Sequence, residues 1–258
     1  MPRAARPDRR RPAGRGGFTL VELVVVIAIV AVLISIILPV VGRARAMAME
    51  VRCASNQRHL VQAFFAFAAD NKGRLPGNYF DVNDPDPAHR SWLRNQGQDL
   101  AACPQGGTLW KYVKDDQTYL CPTLQEEKVN SGFGSNGRFD YAAFQVFTGA
   151  RLKDLSNATA VFTYPDGRVE ASLPVPLVCE EEPAGGVNGG NVEGGHSNSD
   201  RFTHVHRGGS YFAAVDGSVQ WFLEPKDANC WNWQVKAPSG KLASLGPGYS
   251  TWGYWDKQ

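Results

Sequence analysis

A single acidic side chain interrupts the most hydrophobic stretch of the chain. The 24 residues from Phe18 to Val41 carry one charge, that of Glu22. A carboxylate placed in lipid costs a few kcal/mol, so an acid inside a membrane segment requires a partner. A cut between Gly17 and Phe18 would create an α-amino group four residues before Glu22. The new ammonium and the carboxylate would then pair within one chain or between neighbouring chains.

The apolar stretch itself has the length of a membrane span. At about 1.5 Å per residue, a helix over residues 18–41 covers a hydrocarbon core of about 30 Å. The preceding 17 residues hold six arginines and one aspartate, which predicts a cytoplasmic N-terminus and a single pass that carries the rest of the chain outward. The run exceeds the apolar core of about 7–15 residues in an ordinary secretory signal. We therefore expect a retained transmembrane helix, in place of a signal that is simply removed.

Gly17, Phe18, Glu22 and Pro39 resemble, in type and spacing, the class III signal of type IV prepilins and type II secretion pseudopilins. The resemblance implies that a prepilin peptidase cuts after Gly17 and methylates the new amine of Phe18. It implies that Glu22 docks the subunit into a growing filament, and that Pro39 lies where the helix is kinked or locally melted. The alternative is a plain membrane anchor in which Glu22 is accidental.

The same resemblance implies a set of partners and a location. The partners are prepilin peptidase, other pilin or pseudopilin subunits in a homo- or hetero-filament, and an inner-membrane assembly platform. The location is the bacterial inner membrane, with the C-terminal domain in the periplasm or outside the cell. The chain would be the substrate of an enzyme and not an enzyme itself.

A second pattern lies near the C-terminus, where His206 is followed after nine residues by Asp216 and Gly217. This spacing resembles the H-X9-DG signature of a large group of prepilin-like proteins. We expect His206 to hydrogen-bond or stack at the base of a hairpin that turns at Asp216. An anchored hydrolase using His206 and Asp216 is the weaker alternative, because the sequence has no Gly-x-Ser-x-Gly nucleophile motif and no His-Glu-x-x-His metal motif.

No cofactor follows from the sequence, and calcium is the metal left open. Major pseudopilins hold calcium in a C-terminal loop, and this hard cation takes several oxygen ligands. The spacing of the candidate ligands matches no recognised calcium loop; they are Glu193, Asn198, Asp200 and Asp216. Zinc on the nearby histidines is favoured less.

Charge argues against a nucleic-acid partner. The whole chain has 27 basic and 25 acidic residues, and loss of residues 1–17 would leave 21 and 24, a net charge of −3. Phosphate binding instead favours a clustered basic surface.

The five cysteines lie in a region predicted to be outside the cytoplasm, where disulfides form. Cys103 and Cys121 bracket one short segment and form the first predicted pair, with Cys179 and Cys230 as the second. Cys53 would then be left over on the exposed continuation of the helix. The sequence has no Cys-x-x-Cys spacing, which argues against a zinc ribbon.

The pattern predicts an α+β, pilin-like fold. Apolar residues at three- to four-residue spacing indicate that the helix continues over residues 42–72 and stops at Asn71-Lys72-Gly73. Residues 73–258 would form one extracytoplasmic domain with an antiparallel β-sheet, including a hairpin over residues 211–223 and an acidic, glycine-rich loop over residues 179–200.

These features favour a pseudopilin-like structural subunit of a type II secretion or type IV pilus-like filament. The alternative is a membrane-anchored binding or sensory module whose exposed tryptophans contact a ligand. We expect instead that the tryptophans cover a small core; they are Trp231, Trp233, Trp252 and Trp255.

Overall fold

The computed structural model describes residues 18–77, 86–93, 103–127, 138–182, 195–196, 200–229, 232–236 and 242–244. The chain divides into two compact units, Met1–Arg45 and Ala46–Gln258. The predicted leader, including Gly17, lies outside the described residues.

One helix, α1, runs from Leu20 to Asp70 over 51 residues and confirms the predicted long N-terminal helix. Its end follows the expected stop signal. Lys72 and Gly73 adopt positive φ angles of 57° and 78°, and the Gly73 N–H donates to the Ala68 carbonyl at 2.7 Å. Such a left-handed turn satisfies carbonyls that the last helical turn leaves open.

The N-terminal part of α1 presents its apolar side chains outward on all sides. Every side chain from Phe18 to Met47 is exposed, with Leu20 at 78% and Leu38 at 67%. By length and composition, α1 is long and apolar enough to cross a membrane. Helical structure continues through Pro39.

From Ala46 onward α1 belongs to the folded unit and buries one face. The buried positions recur every three or four residues, as the amphipathic pattern predicts: Cys53, Asn56, Gln57, Leu60, Val61, Ala63, Phe64, Phe67 and Ala68. Two polar members of this face make specific contacts. The Asn56 side chain donates to the Leu120 carbonyl at 2.8 Å, and the Gln57 side chain donates to the Tyr211 carbonyl at 2.9 Å.

Short helices and nine strands follow α1 in the described part of the chain. The helices are α2 (Trp110–Val113), α3 (Pro122–Glu127) and α4 (Leu152–Ser156). The strands are β1 (Tyr141–Phe144), β2 (Thr159–Thr163), β3 (Val169–Leu173), β4 (Pro176–Glu180), β5 (Gly195–His196), β6 (Ser210–Ala214), β7 (Val219–Phe222), β8 (Trp233–Lys236) and β9 (Leu242–Ser244).

The strands form two sheets. The first has the order β5-β1-β4-β6-β7 and the second the order β3-β2-β8-β9. Every neighbouring pair is antiparallel except β1 and β5, which pair in parallel. A long apolar helix followed by antiparallel sheet confirms the α+β prediction.

An aromatic cluster occupies the core of the folded unit. Trp233 is fully buried, and the rings of Phe162 and Phe222 each lie 5.0 Å from it. The Phe162–Trp233 pair meets edge to face, and such pairs stabilise a core beyond the area that they bury. The prediction that tryptophan covers a core is confirmed for Trp233, whereas Trp231, Trp252 and Trp255 lie outside the described residues.

Candidate functional site

The first turn of α1 is closed by Thr19 and Glu22. The Thr19 N–H and hydroxyl both donate to the Glu22 carboxylate at 2.8 Å, and the Glu22 N–H donates back to the Thr19 hydroxyl at 3.2 Å. This reciprocal pair is a capping box, in which a threonine before the helix and a glutamate three residues later satisfy each other's backbone donors. Glu22 therefore has a partner in its own chain, a role that the sequence analysis did not predict.

Pro39 interrupts the backbone hydrogen-bond pattern in the apolar part of α1. Proline has no N–H, so the carbonyl four residues earlier, that of Ser35, receives no helical hydrogen bond from it. The Ser35 hydroxyl donates to the Val32 carbonyl at 2.7 Å. The helix is thus continuous here, but its hydrogen-bond ladder lacks one donor.

The hairpin predicted around Asp216 and Gly217 joins β6 to β7. The Gly217 N–H donates to the Ala214 carbonyl at 2.9 Å, and the Ser218 N–H donates to the Asp216 carboxylate at 2.8 Å. Gly217 has a φ of +83°, a conformation that favours glycine. The Asp-Gly pair of the H-X9-DG pattern thus shapes a turn.

His206 lies at the base of this hairpin and is fully buried. Its backbone pairs with Gly209 through two hydrogen bonds of 3.0 Å, and its carbonyl accepts the Trp221 indole N–H at 2.7 Å. Its imidazole Nε2 lies 2.8 Å from the Glu180 carboxylate. The expectation that His206 hydrogen-bonds at the base of the hairpin is confirmed.

Two thiols complete a cluster around His206. Cys53 Sγ of α1 lies 2.8 Å from Cys121 Sγ, and Cys121 Sγ lies 3.5 Å from His206 Nε2. One ligand atom from each of Cys53, Cys121, Glu180 and His206 falls within 4.8 Å of the other three, and all four residues are buried. We call these four residues the thiol–imidazole cluster.

The contacts within the cluster shift the pKa values of its side chains in different directions. The hydrogen bond with Cys121 lowers the pKa of the Cys53 thiol, whereas burial raises the pKa of the Cys121 thiol well above its usual range. Burial lowers the pKa of His206, but hydrogen bonds to Cys53 and Glu180 outweigh burial and raise it to about 10. A charged imidazole beside a carboxylate compensates the burial of both groups.

The cysteine prediction requires correction. Cys121 is a free thiol that lies against Cys53 and forms no disulfide with Cys103, and Cys53 is fully buried, not exposed on the helix. The register of α1 explains the difference, because Cys53 lies on the same buried face as Leu60 and Phe64. The second predicted pair includes Cys230, which lies outside the described residues. The calcium candidates Glu193 and Asn198 also lie outside them.

Glu180 is a further residue of the cluster that the sequence did not indicate. Residues 179–200 were predicted to form an acidic loop, but β4 extends through Glu180, and both Glu180 and Glu181 are buried. Two residues of the calcium proposal are described and have other surroundings: Asp200 is buried, and Asp216 holds the hairpin turn. The apolar run Pro176–Cys179 before Glu180 is the sequence signal that favours a strand there.

Comparison with known proteins identifies the N-terminal segment. Residues 13–38 match the family model of the prokaryotic N-terminal methylation motif, consistent with a type IV prepilin-like class III signal peptide. The match includes Gly17, Phe18 and Glu22. No curated protein and no solved structure matches the chain.

Proposed function

We propose that this chain is a pilin-like structural subunit that a prepilin peptidase cuts after Gly17 and methylates at Phe18. Its α1 helix then packs beside those of other subunits in a filament of a type II secretion or type IV pilus-like machine. The observation that carries this proposal is the methylation motif at residues 13–38, which includes the start of an exposed apolar helix.

The exposure of α1 supports a role in lateral packing. The large apolar side chains between Leu20 and Val41 remain 45–78% exposed within the chain. Water cannot solvate such a surface favourably, so lipid or neighbouring apolar helices must cover it. A subunit that moves from the membrane into a filament would exchange the first cover for the second.

In this proposal, Glu22 sets the position at which one subunit docks against the next. Within its own chain the Glu22 carboxylate is held by Thr19. In a filament it would meet the methylated amine of Phe18 on a neighbouring subunit. A subunit docked in the wrong register would leave a carboxylate without an opposite charge, which is strongly unfavourable in an apolar environment.

The folded unit from Ala46 onward would be displayed outside the inner membrane. We propose no enzymatic activity for it, since His206 is fully buried and Asp216 shapes the hairpin turn. The binding-module alternative relied on exposed tryptophans, and Trp233 lies in the core. The proposed partners are the peptidase, other subunits and an inner-membrane assembly platform.

Fractionation of cells that express an epitope-tagged chain tests the proposal. We expect the wild-type chain in the sheared or pelleted filament fraction, and we expect Gly17→Val to stay in the membrane fraction with its leader attached. A wild-type chain confined to the membrane while the machine is assembled would contradict a role as a filament subunit.

A further inference from the structure

We infer that Cys53, Cys121, Glu180 and His206 bind one divalent transition-metal ion of the zinc type at a structural site in the folded unit. This inference does not depend on filament assembly, because all four residues lie in the unit that begins at Ala46. The site would join α1, the segment before α3, the end of β4 and the base of the β6–β7 hairpin.

The donor set matches the chemistry of zinc. Zinc is bound by thiolate, imidazole and carboxylate groups, and sites with four protein ligands are structural. Calcium and magnesium prefer oxygen ligands, so two thiols argue against either ion here. The four residues are far apart in sequence, which explains why no Cys-x-x-Cys motif announces the site.

One distance in the cluster matches a tetrahedral site, and two are shorter. With metal–sulfur bonds of about 2.3 Å and metal–nitrogen bonds of about 2.0 Å, a tetrahedral ion places a sulfur about 3.5 Å from a nitrogen. Cys121 Sγ and His206 Nε2 are 3.5 Å apart. The two sulfurs, at 2.8 Å, must separate by about 1 Å to reach the spacing of such an ion. His206 Nε2 and Glu180 Oε2, at 2.8 Å, must separate by about 0.5 Å. Binding therefore requires the ligand side chains to rotate apart.

Surrounding polar groups hold the ligands in place. The Cys121 N–H donates to the Asp140 carboxylate at 2.8 Å, and the hydroxyls of Thr203 and Ser210 both lie 3.4 Å from Glu180 Oε2. Outer contacts of this kind orient metal ligands and tune their affinity. These contacts therefore hold the backbone of Cys121 and the carboxylate of Glu180 in position.

One buried atom of the cluster points to a ligand. Among the described residues, Glu180 Oε1 is buried and has no hydrogen-bond partner. A disulfide between Cys53 and Cys121 would use only the two sulfurs and would leave the carboxylate and imidazole as they are. A metal ion engages all four side chains and supplies positive charge to two thiolates and a carboxylate in a buried site.

Cobalt binding to the full-length chain in detergent provides the test. The chain is purified under reducing conditions, stripped with a chelator and titrated with Co²⁺ alone. We expect one equivalent to bind, with thiolate-to-cobalt charge transfer and the visible absorption of a tetrahedral ion. Stoichiometric Zn²⁺ should displace the Co²⁺. Either metal, when bound, should protect two thiols from alkylation.

Variants locate the ion. Cys53→Ser, Cys121→Ser and His206→Gln should each weaken cobalt binding by at least about tenfold, whereas Cys179→Ser should bind as the wild type does. Cys179 is the matched control because it is a buried thiol next to Glu180 whose Sγ contacts the Ala142 carbonyl at 3.7 Å. The wild-type titration stands even if a cluster variant fails to fold.

Three results would overturn the inference. The first is a Cys53–Cys121 disulfide, found by peptide mass mapping of the chain from its native membrane, without bound metal. The second is no cobalt binding by the reduced, folded wild-type chain. The third is unchanged binding by the Cys53 and Cys121 variants.

Discussion

Thr19 and Glu22 hydrogen-bond to each other in both directions at the start of α1, at 2.8 Å and 3.2 Å. The carboxylate that the proposal assigns to subunit docking therefore also closes its own helix. These two roles make different demands, since capping requires an acceptor at position 22 and docking requires a negative charge.

Glu22→Gln separates the two roles by keeping the acceptor and removing the charge. Glutamine serves in a capping box as glutamate does. We expect normal insertion and leader removal but at least about tenfold less subunit in the filament fraction, because the amine of the neighbour loses its counter-ion. Quantitative immunoblotting of membrane and filament fractions measures both steps.

Thr19→Val is the complementary variant, because it removes the cap and keeps the charge. Loss of a cap costs about 1 kcal/mol in helix stability, and the rest of the 51-residue α1 absorbs that loss. We expect assembly within about twofold of the wild type. Normal assembly of Glu22→Gln together with a clear defect in Thr19→Val would show that Glu22 acts through the cap alone.

Trp233→Ala should destabilise the folded unit severely. The side chain is fully buried among aromatic rings and donates its indole N–H to Glu224 at 3.2 Å. Truncating a buried tryptophan costs about 3–5 kcal/mol through lost burial and an unfilled cavity. Leu223→Ala, at a position that is 51% exposed, should change stability by less than about 1 kcal/mol. Denaturant titration of the detergent-solubilised chain, monitored by near-UV circular dichroism, compares them; equal midpoints would place Trp233 outside the core.

Glu224 makes stability depend on pH. Burial raises its pKa to about 7 from 4.5, against the lowering effects of hydrogen bonds from the Phe202 N–H and the Trp233 indole. The folded chain therefore holds a proton that the unfolded chain releases between these values. This stability is fully present below pH 4.5 and is lost as the pH rises through 7, a loss of about 3 kcal/mol by linkage.

Thermal unfolding at pH 5 and pH 8 measures this loss. We expect a lower Tm at pH 8 and a smaller pH difference in Glu224→Gln, whose amide does not titrate. Comparing the two proteins removes the contribution of His206, whose raised pKa acts in the same direction. An identical change in Tm between the two pH values in both proteins would show that a group other than Glu224 causes it.

Gly209 should tolerate no side chain. A Cβ there would lie 2.6 Å from the Phe222 carbonyl oxygen and 2.7 Å from the Trp221 ring, both on β7. We expect Gly209→Ala to shift the His206 end of the hairpin and to destabilise the chain by about 1–3 kcal/mol. Gly42→Ala in α1 is the control, since its Cβ would meet nothing within 4 Å and alanine favours a helix. Denaturant midpoints compare the two, and a smaller effect at Gly209 would refute the close packing.

Local patterns in the sequence predicted the elements but not the contacts between them. Periodicity identified α1, and the Asp216-Gly217 turn identified the β6–β7 hairpin, because both depend on neighbouring residues. The thiol–imidazole cluster depends on the register of α1 against β4 and the hairpin. A pattern of neighbours carries no information on that register, so Cys53 was expected on the surface and Glu180 in a loop.

The N-terminus of the mature chain tests the central claim most directly. Intact-mass and N-terminal peptide mass spectrometry on the protein from its native membrane should find a chain that begins at N-methyl-Phe18. That result would establish processing by a prepilin peptidase and leave Glu22 to pair with the new amine. A chain that begins at or near Met1 would contradict the account, since Glu22 would then have only its capping partner and α1 would be an ordinary anchor.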